Sequence, residues 1–235
     1  IIDEERKINI NKAQRSVIER LFRIVGLSEM KAQNLSASIV DWRDKDSELS
    51  IPLGSAEDRY YRNLRDPYEA KDADFEVLDE LLLVRGMTGE IFDEIKGFIT
   101  IYGEGKVNIN TASEDVLLSL GLHASVVNKI LSFRYGQDMI EASADDNVFN
   151  SVSGITARLS QLYLLSAGEV ANLSNLVSAK KVTVKSNNFM IKSIAKLDKK
   201  ETFLKIVCVF ENFSEGSDES GLNEDEKIRY WREGL

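Results

Sequence analysis

A nine-residue pattern occurs twice in this chain and narrows the folds open to it more than any other feature. Glu5-Arg6-Lys7-Ile8-Asn9-Ile10-Asn11-Lys12-Ala13 returns as Glu104-Gly105-Lys106-Val107-Asn108-Ile109-Asn110-Thr111-Ala112. Each copy alternates apolar and polar residues, as a short strand does, and then reaches an Asn that can cap a helix. After the second copy, Glu114 and Asp115 stand where the positive end of a helix dipole favours acidic side chains. In both copies an apolar run at helical spacing leads to a Gly-Leu step, Gly26-Leu27 or Gly121-Leu122. A second helical run then closes on an arginine, in Ile39-Val40-Asp41-Trp42-Arg43 and in Ile130-Leu131-Ser132-Phe133-Arg134. A strand, a capped helix, a glycine turn and a helix used twice are the signature of an internal repeat.

Several function classes fall away on composition. The net charge of −9, from 30 basic and 39 acidic residues, argues against non-specific nucleic-acid binding, which needs clustered Lys and Arg. His123 is the one histidine, so a histidine-based triad or a multi-histidine metal site cannot be assembled within the chain. Cys208, the one cysteine, lies in the apolar run 203–210 and reads as a small buried hydrophobe. No apolar run is long enough to span a bilayer, and no signal peptide is visible. The chain begins inside what reads as a strand, Ile1-Ile2-Asp3-Glu4, which leads us to expect a fragment of a longer protein with its N-terminal helix missing.

Taken in order, residues 1–11 read as one strand. Helices are expected over 12–25, 30–42, 75–84, 91–101 and 151–165, besides the pair after the second copy. From residue 179 the pattern turns β-branched and aromatic, with strands expected at 182–184, 189–194, 202–210 and 227–233. Residues 198–201 form a polar turn, and the Ser, Glu, Gly and Asp run at 214–226 reads as mobile. The fold class expected is α+β. Strand 1–11 joins an antiparallel tail sheet, giving a β domain of 1–11 plus 176–235 interrupted by a helical domain of 12–175.

Two features carry candidate chemistry. The stretch 41–58 holds Asp41, Asp44, Asp46, Glu48, Glu57 and Asp58 around a Pro52 and Gly54 turn. Calcium takes six to eight oxygens from flexible loops, and Asp44 and Asp46 are spaced to face one point, with Glu57 and Asp58 returning from the far side. A solvated acidic loop is the alternative, and the spacing is not that of an EF-hand. The second feature is a Gly-apolar step between helices, at Gly26-Leu27, Gly86-Met87, Gly121-Leu122 and Gly154-Ile155. It is like the turn of a helix-hairpin-helix. The DNA-binding form carries a second glycine two residues on, so that backbone amides reach a phosphate. Here those positions are Ser28, Thr88, His123 and Thr156.

The combination resembles the minor pseudopilin K family of type II secretion, the general secretion pathway protein K family. The residues that carry the resemblance run in order: Asp3-Glu4 with Lys7-Ile8-Asn9-Ile10-Asn11; Asp41-Trp42-Arg43-Asp44-Lys45-Asp46; Gly54-Ser55-Ala56-Glu57-Asp58 with Tyr60-Tyr61; Pro67-Tyr68; Phe75 with Leu78-Asp79-Glu80-Leu81, Val84 and Gly86-Met87; and Val107-Asn108-Ile109-Asn110-Thr111-Ala112. The resemblance implies a pilin-like antiparallel sheet with a large helical insertion, at the tip of a periplasmic pseudopilus, in complex with minor pseudopilins I and J. Secreted substrates are further candidate partners, and no nucleic acid is expected. It implies a structural protein rather than an enzyme, one that caps and helps initiate the pseudopilus in export across the outer membrane. The family's N-terminal transmembrane helix and prepilin-peptidase site are not seen, so the chain reads as the periplasmic part of a protein anchored in the inner membrane. Some pseudopilins bind calcium, and this carries over to Asp41, Asp44, Asp46, Glu57 and Asp58 as candidate ligands.

Two other classes compete. The run 107–112 also opens the helix-hairpin-helix of competence-type DNA receptors, which would make a DNA-binding module. The missing second glycines, the net charge and the acidic loop weigh against it. A hydrolase using Glu57-Asp58 or Asp79-Glu80 is disfavoured because adjacent helical residues point in different directions.

Overall fold

A computed structural model describes residues 1–196, 203–212 and 226–234. Its sheet has four antiparallel strands in the order β1-β6-β7-β8: β1 (Ile2–Asp3), β6 (Asn188–Lys196), β7 (Phe203–Asn212) and β8 (Glu226–Gly234). The opening and closing segments thus share one sheet. The expected turn at 198–201 and nearly all of the run at 214–226 lie outside the described residues.

Residues 1–11 are two short strands rather than one. The Asp3 carboxylate accepts from the amide of Glu5 at 2.8 Å, and the amide of Lys7 donates to the carbonyl of Glu4 at 3.2 Å. The chain therefore turns out of the sheet after β1. β2 (Ile8–Asn9) then pairs in parallel with β3 (Ile99–Thr100) inside the helical block. The segment at 182–184 is displaced likewise. Its strand β5 (Val182–Thr183) pairs in parallel with β4 (Val107–Asn108), not with the tail sheet.

These two parallel pairs show that the repeat extends well beyond the nine-residue pattern. The first unit runs β2, α1 (Arg15–Ile24), α2 (Glu29–Arg43), a long loop holding α3 (Asp58–Tyr61), a 3₁₀ helix (Leu78–Leu83), α4 (Gly89–Ile95) and β3. The second runs β4, α5 (Glu114–Ser119), α6 (Ala124–Arg134), a loop, α7 (Ile155–Leu162), α8 (Ala167–Ser178) and β5. The same hydrogen bonds close both. Arg43 donates to the carbonyl of Ala13 at 2.6 Å, and Arg134 to that of Ala112 at 2.5 Å. Asn11 bonds both backbone groups of Phe75, at 2.7 and 3.0 Å, and Asn110 both of Phe149, at 2.8 and 3.0 Å.

The second Asn of each motif is therefore a latch to a distant loop and not a helix cap. One further turn intervenes, and the N-caps are Gln14 and Ser113. Between paired helices, Gly26 and Gly121 adopt φ of +94° and +93°, which a Cβ would disfavour. Ser28, Thr88 and His123 are then used as N-caps of α2, α4 and α6. Gly154 departs from the expectation. It has φ of −83° and begins α7, and the fourth turn falls between α7 and α8, where Ser166 and Glu169 form a capping box. Helix α8 was not expected from the sequence, although this box and Val170, Leu173, Leu176 and Val177 carry its signal.

The continuous core lies in the helical head and takes from both repeats, including Ile8, Phe22, Ile99, Val107, Ile130 and Val182. Trp42 stacks on Phe75 at 6.5 Å and meets Tyr61 edge-on at 5.1 Å. The sheet is different. Among the described residues, Val209 is the one apolar side chain of the sheet that is fully buried, while Ile194 and Ile228 are each 57% exposed. Cys208, expected to be buried, is only partly so, because the face it shares with Ile191 and Trp231 is open among the described residues.

Three consecutive carboxylates join head to sheet. Asp3 accepts from Thr111, Ser186 and Asn108 at 2.5, 2.7 and 3.1 Å, besides the amide of Glu5. Glu4 is buried, paired with Lys7 at 2.7 Å and bonded by Thr100 at 2.6 Å. Glu5 accepts from the amides of Asn187 and Asn188 and from the Asn188 side chain.

Candidate metal centre

Helix α2 ends in acid. Asp41 sits in its last turn, fully buried, and Asp44 is the residue that caps it. Carboxylates at a helix C-terminus run against the helix dipole. The chain then turns through Asp46, whose side chain accepts from the amide of Glu48 at 2.8 Å, and returns after Pro52 and Gly54 to Glu57, the N-cap of α3. Asp44, Asp46 and Glu57 each bring an oxygen within 4.8 Å of the other two.

Among the described residues, no Lys or Arg makes an ion pair with this group. The neighbouring guanidinium of Arg43 is turned away, donating to the carbonyls of Ile10 and Ala13. Glu57 is 6% exposed, yet its Oε1 has no hydrogen-bond partner, and neither has the buried Oδ1 of Asp44. Both carboxyls are consequently hard to ionise. Burial, then Asp46 and Asp41, pushes Asp44 up to about 6, and burial, then Asp41, Asp44 and Asp72, pushes Glu57 up to about 7. Orphaned buried oxygens amid like charge are what a hard divalent cation would relieve.

Two of the five candidate residues stand apart from the group of three. Asp41 lies close enough to raise both neighbours, but its own oxygens accept from the amide of Ser50 at 3.2 Å, which fixes the loop. Asp58 is committed elsewhere, to the amide of Ala70 at 2.9 Å and to Arg62 at 2.8 Å. Sequence reasoning missed Asp72. It comes near Glu57 after a second turn at Pro67 and holds φ of +51°, and no local pattern marks it.

A pH dependence follows without metal. Raised folded-state values mean that the native chain binds more protons than the unfolded chain between about 4.5 and about 7. Stability held by these groups at pH 5 is therefore lost as pH rises through that window, on the order of 2 kcal/mol after allowance for solvent screening. In chelator, the melting temperature is expected to fall between pH 5 and 7.5, and Glu57→Gln to flatten that fall. An unchanged slope in Glu57→Gln would refute the assignment. The lowered carboxyls, Glu80 and Glu169 among them, act in the opposite sense and at lower pH.

Comparison with known proteins adds a family likeness over part of the chain. Residues 3–104 match the model of a family described as type II secretion system (T2SS), protein K. A type II secretion system protein K from Aeromonas hydrophila is 32% identical over 119 residues, which are 49% of this chain and 34% of that protein. The alignment thus spans about a third of the relative's length. A chain of the crystal structure of the GspK-GspI-GspJ complex from the enterotoxigenic Escherichia coli type 2 secretion system superposes with a TM-score of 0.71 and 16% identity. The match covers 99% of this chain and 78% of that one, and at this identity it speaks to the fold. The resemblance to minor pseudopilin K carried by the sequence motifs is therefore shown in the first half, and the pilin-like α+β fold over nearly the whole chain.

Proposed function

We propose that this chain, which resembles type II secretion system protein K, acts as a minor pseudopilin that caps the pseudopilus and helps to start it, with calcium holding its long acidic loop. The observation that carries this reading is the disproportion of the fold. A head containing almost the whole core stands on a small antiparallel sheet and would block further subunits from stacking above it.

The sheet supplies the contact surface. Cross-strand partners share a face, so Ile191, Cys208 and Trp231 lie together, with Phe189, Phe210 and Ile228 beside them. Minor pseudopilins I and J would cover this apolar face, as the structural relative is found in a complex of that composition. The work is mechanical and asks for no catalytic group. Placement in the periplasm beneath an inner-membrane anchor, and contact with secreted cargo, accompany the reading. Among the described residues, no helix is long and apolar enough to cross a membrane.

Asp44, Asp46 and Glu57 would hold the calcium, with Asp41 behind them fixing the loop. The ion would supply charge compensation and order, not chemistry.

Mixing the chain with minor pseudopilins I and J tests the assembly. A three-part complex is expected by size-exclusion chromatography. Trp231→Asp and Ile228→Asp should weaken it about a hundredfold, as loss of buried apolar anchors does, while the melt of the isolated chain stays put. Failure of the folded chain to join the other two would overturn the proposal.

A further inference from the structure

The opposite face of the sheet has a character that assembly through the apolar face does not use. Its rows are Met190, Val209 and Tyr230 near the head, then Lys192, Val207 and Arg232, then Ile194 and Lys205. Lys192, Lys205 and Arg232 are all exposed, and none makes an ion pair among the described residues. Ile194 stands between them, 57% exposed. The two outer rows hold no carboxylate.

This cationic end belongs to a chain that is acidic elsewhere. Residues 1–178 hold 29 acidic and 19 basic side chains, whereas β6, β7 and β8 together hold six basic and three acidic. Asn212 and Glu226, which flank the acidic stretch 213–225 in the sequence, pair with each other at the head-proximal end of the sheet. Lys192 lies four residues along β6 from Asn188, roughly 13 Å further out at the usual rise per residue. The chain is therefore polarised, with an acidic head and a basic outer end of the sheet.

We propose that this outer face is a docking surface for a bilayer rich in anionic phospholipid headgroups. The cations of this face are spread around one exposed aliphatic side chain. Among the described residues, its two outer rows hold no carboxylate or amide with which to select a particular peptide. Such a surface answers to charge density and to an apolar boundary, which a bilayer offers over any area. The acidic head is repelled by the same surface, so attraction and repulsion together set one orientation, head outward. The proposal is independent of the calcium site and of the contact with other pseudopilins.

Flotation of the whole chain with vesicles tests it. Binding to phosphatidylglycerol–phosphatidylcholine vesicles is expected to be about a hundredfold stronger than to phosphatidylcholine alone. It should be lost as salt rises from about 50 mM to about 0.5 M. Lys192→Gln, Lys205→Gln and Arg232→Gln should each cost about fivefold. Lys31→Gln, Arg59→Gln and Lys96→Gln in the head should not weaken it. The three sheet positions are exposed, so their melts should match that of the unaltered chain. Equal binding to both vesicles, binding to neither, or insensitivity to the three sheet substitutions overturns the proposal. Salt-sensitive capture of polyglutamate without vesicle binding also overturns it, and points to an acidic protein instead.

Discussion

Asp3→Ala is expected to destabilise the chain by about 3 kcal/mol, because one carboxylate there satisfies four donors on three separate segments. Hydrogen bonds to a charged acceptor contribute about 1.5–3 kcal/mol each, and stranded donors keep their desolvation penalty. The donors are the amide of Glu5 next to β1, Asn108 and Thr111 in the second repeat, and Ser186 on the approach to β6. The loss should appear as a fall in melting temperature of roughly 6–12 °C for a chain of this size. Asp3→Asn keeps an acceptor oxygen and the shape, so it should lose about half as much. Protease cleavage near residues 184–187 should quicken in Asp3→Ala, since that connection is held by the same carboxylate. A drop of less than about 2 °C would mean that Glu4 and Glu5 hold the junction without Asp3.

Calcium is expected to have an effect of similar size with the opposite sign. A ligand present at a hundred times its dissociation constant stabilises the folded state by about 2.7 kcal/mol, which is roughly 5–11 °C here. The gain should be larger at pH 7.5 than at pH 5.5, because binding must displace the protons that Glu57 and Asp44 hold up to about 7 and about 6. Asp44→Asn and Glu57→Gln should each abolish most of the gain. In chelator the same two variants should be at least as stable as the parent at pH 7.5, since each removes a carboxylate from an uncompensated group. Asp58→Asn should leave the calcium response intact, as Asp58 is engaged with Ala70 and Arg62. A melt indifferent to calcium and to chelator would remove the metal from the proposal.

The two predictions act on the same unit from opposite ends. Asp44 follows Arg43, whose guanidinium holds the carbonyls of Ile10 and Ala13, and that segment leads back through β2 to Lys7, Glu4 and Asp3. A double variant, Asp3→Ala with Glu57→Gln, should report whether loop and junction are coupled, by how far its calcium response departs from the sum of the single changes.

Local sequence determined a good deal by itself. Asn9-Ile10-Asn11 and Asn108-Ile109-Asn110 announced the repeat, and a closing arginine marked the end of each helix pair. The β-branched and aromatic runs at 202–210 and 227–233 located the long strands, because such side chains suit a pleated surface. The gathering of Asp44, Asp46 and Glu57 was legible as acidity on both sides of a Pro and Gly turn. Tertiary structure alone decided the rest. It split residues 1–11 between two sheets, gave Asn11 and Asn110 to Phe75 and Phe149, turned Asp58 away and brought Asp72 in. Each of these is a pairing between segments far apart in the chain. Alternation fixes which side chains share a face, but it does not say which distant backbone will offer the free amide or carbonyl, and that choice is made only when the whole core closes.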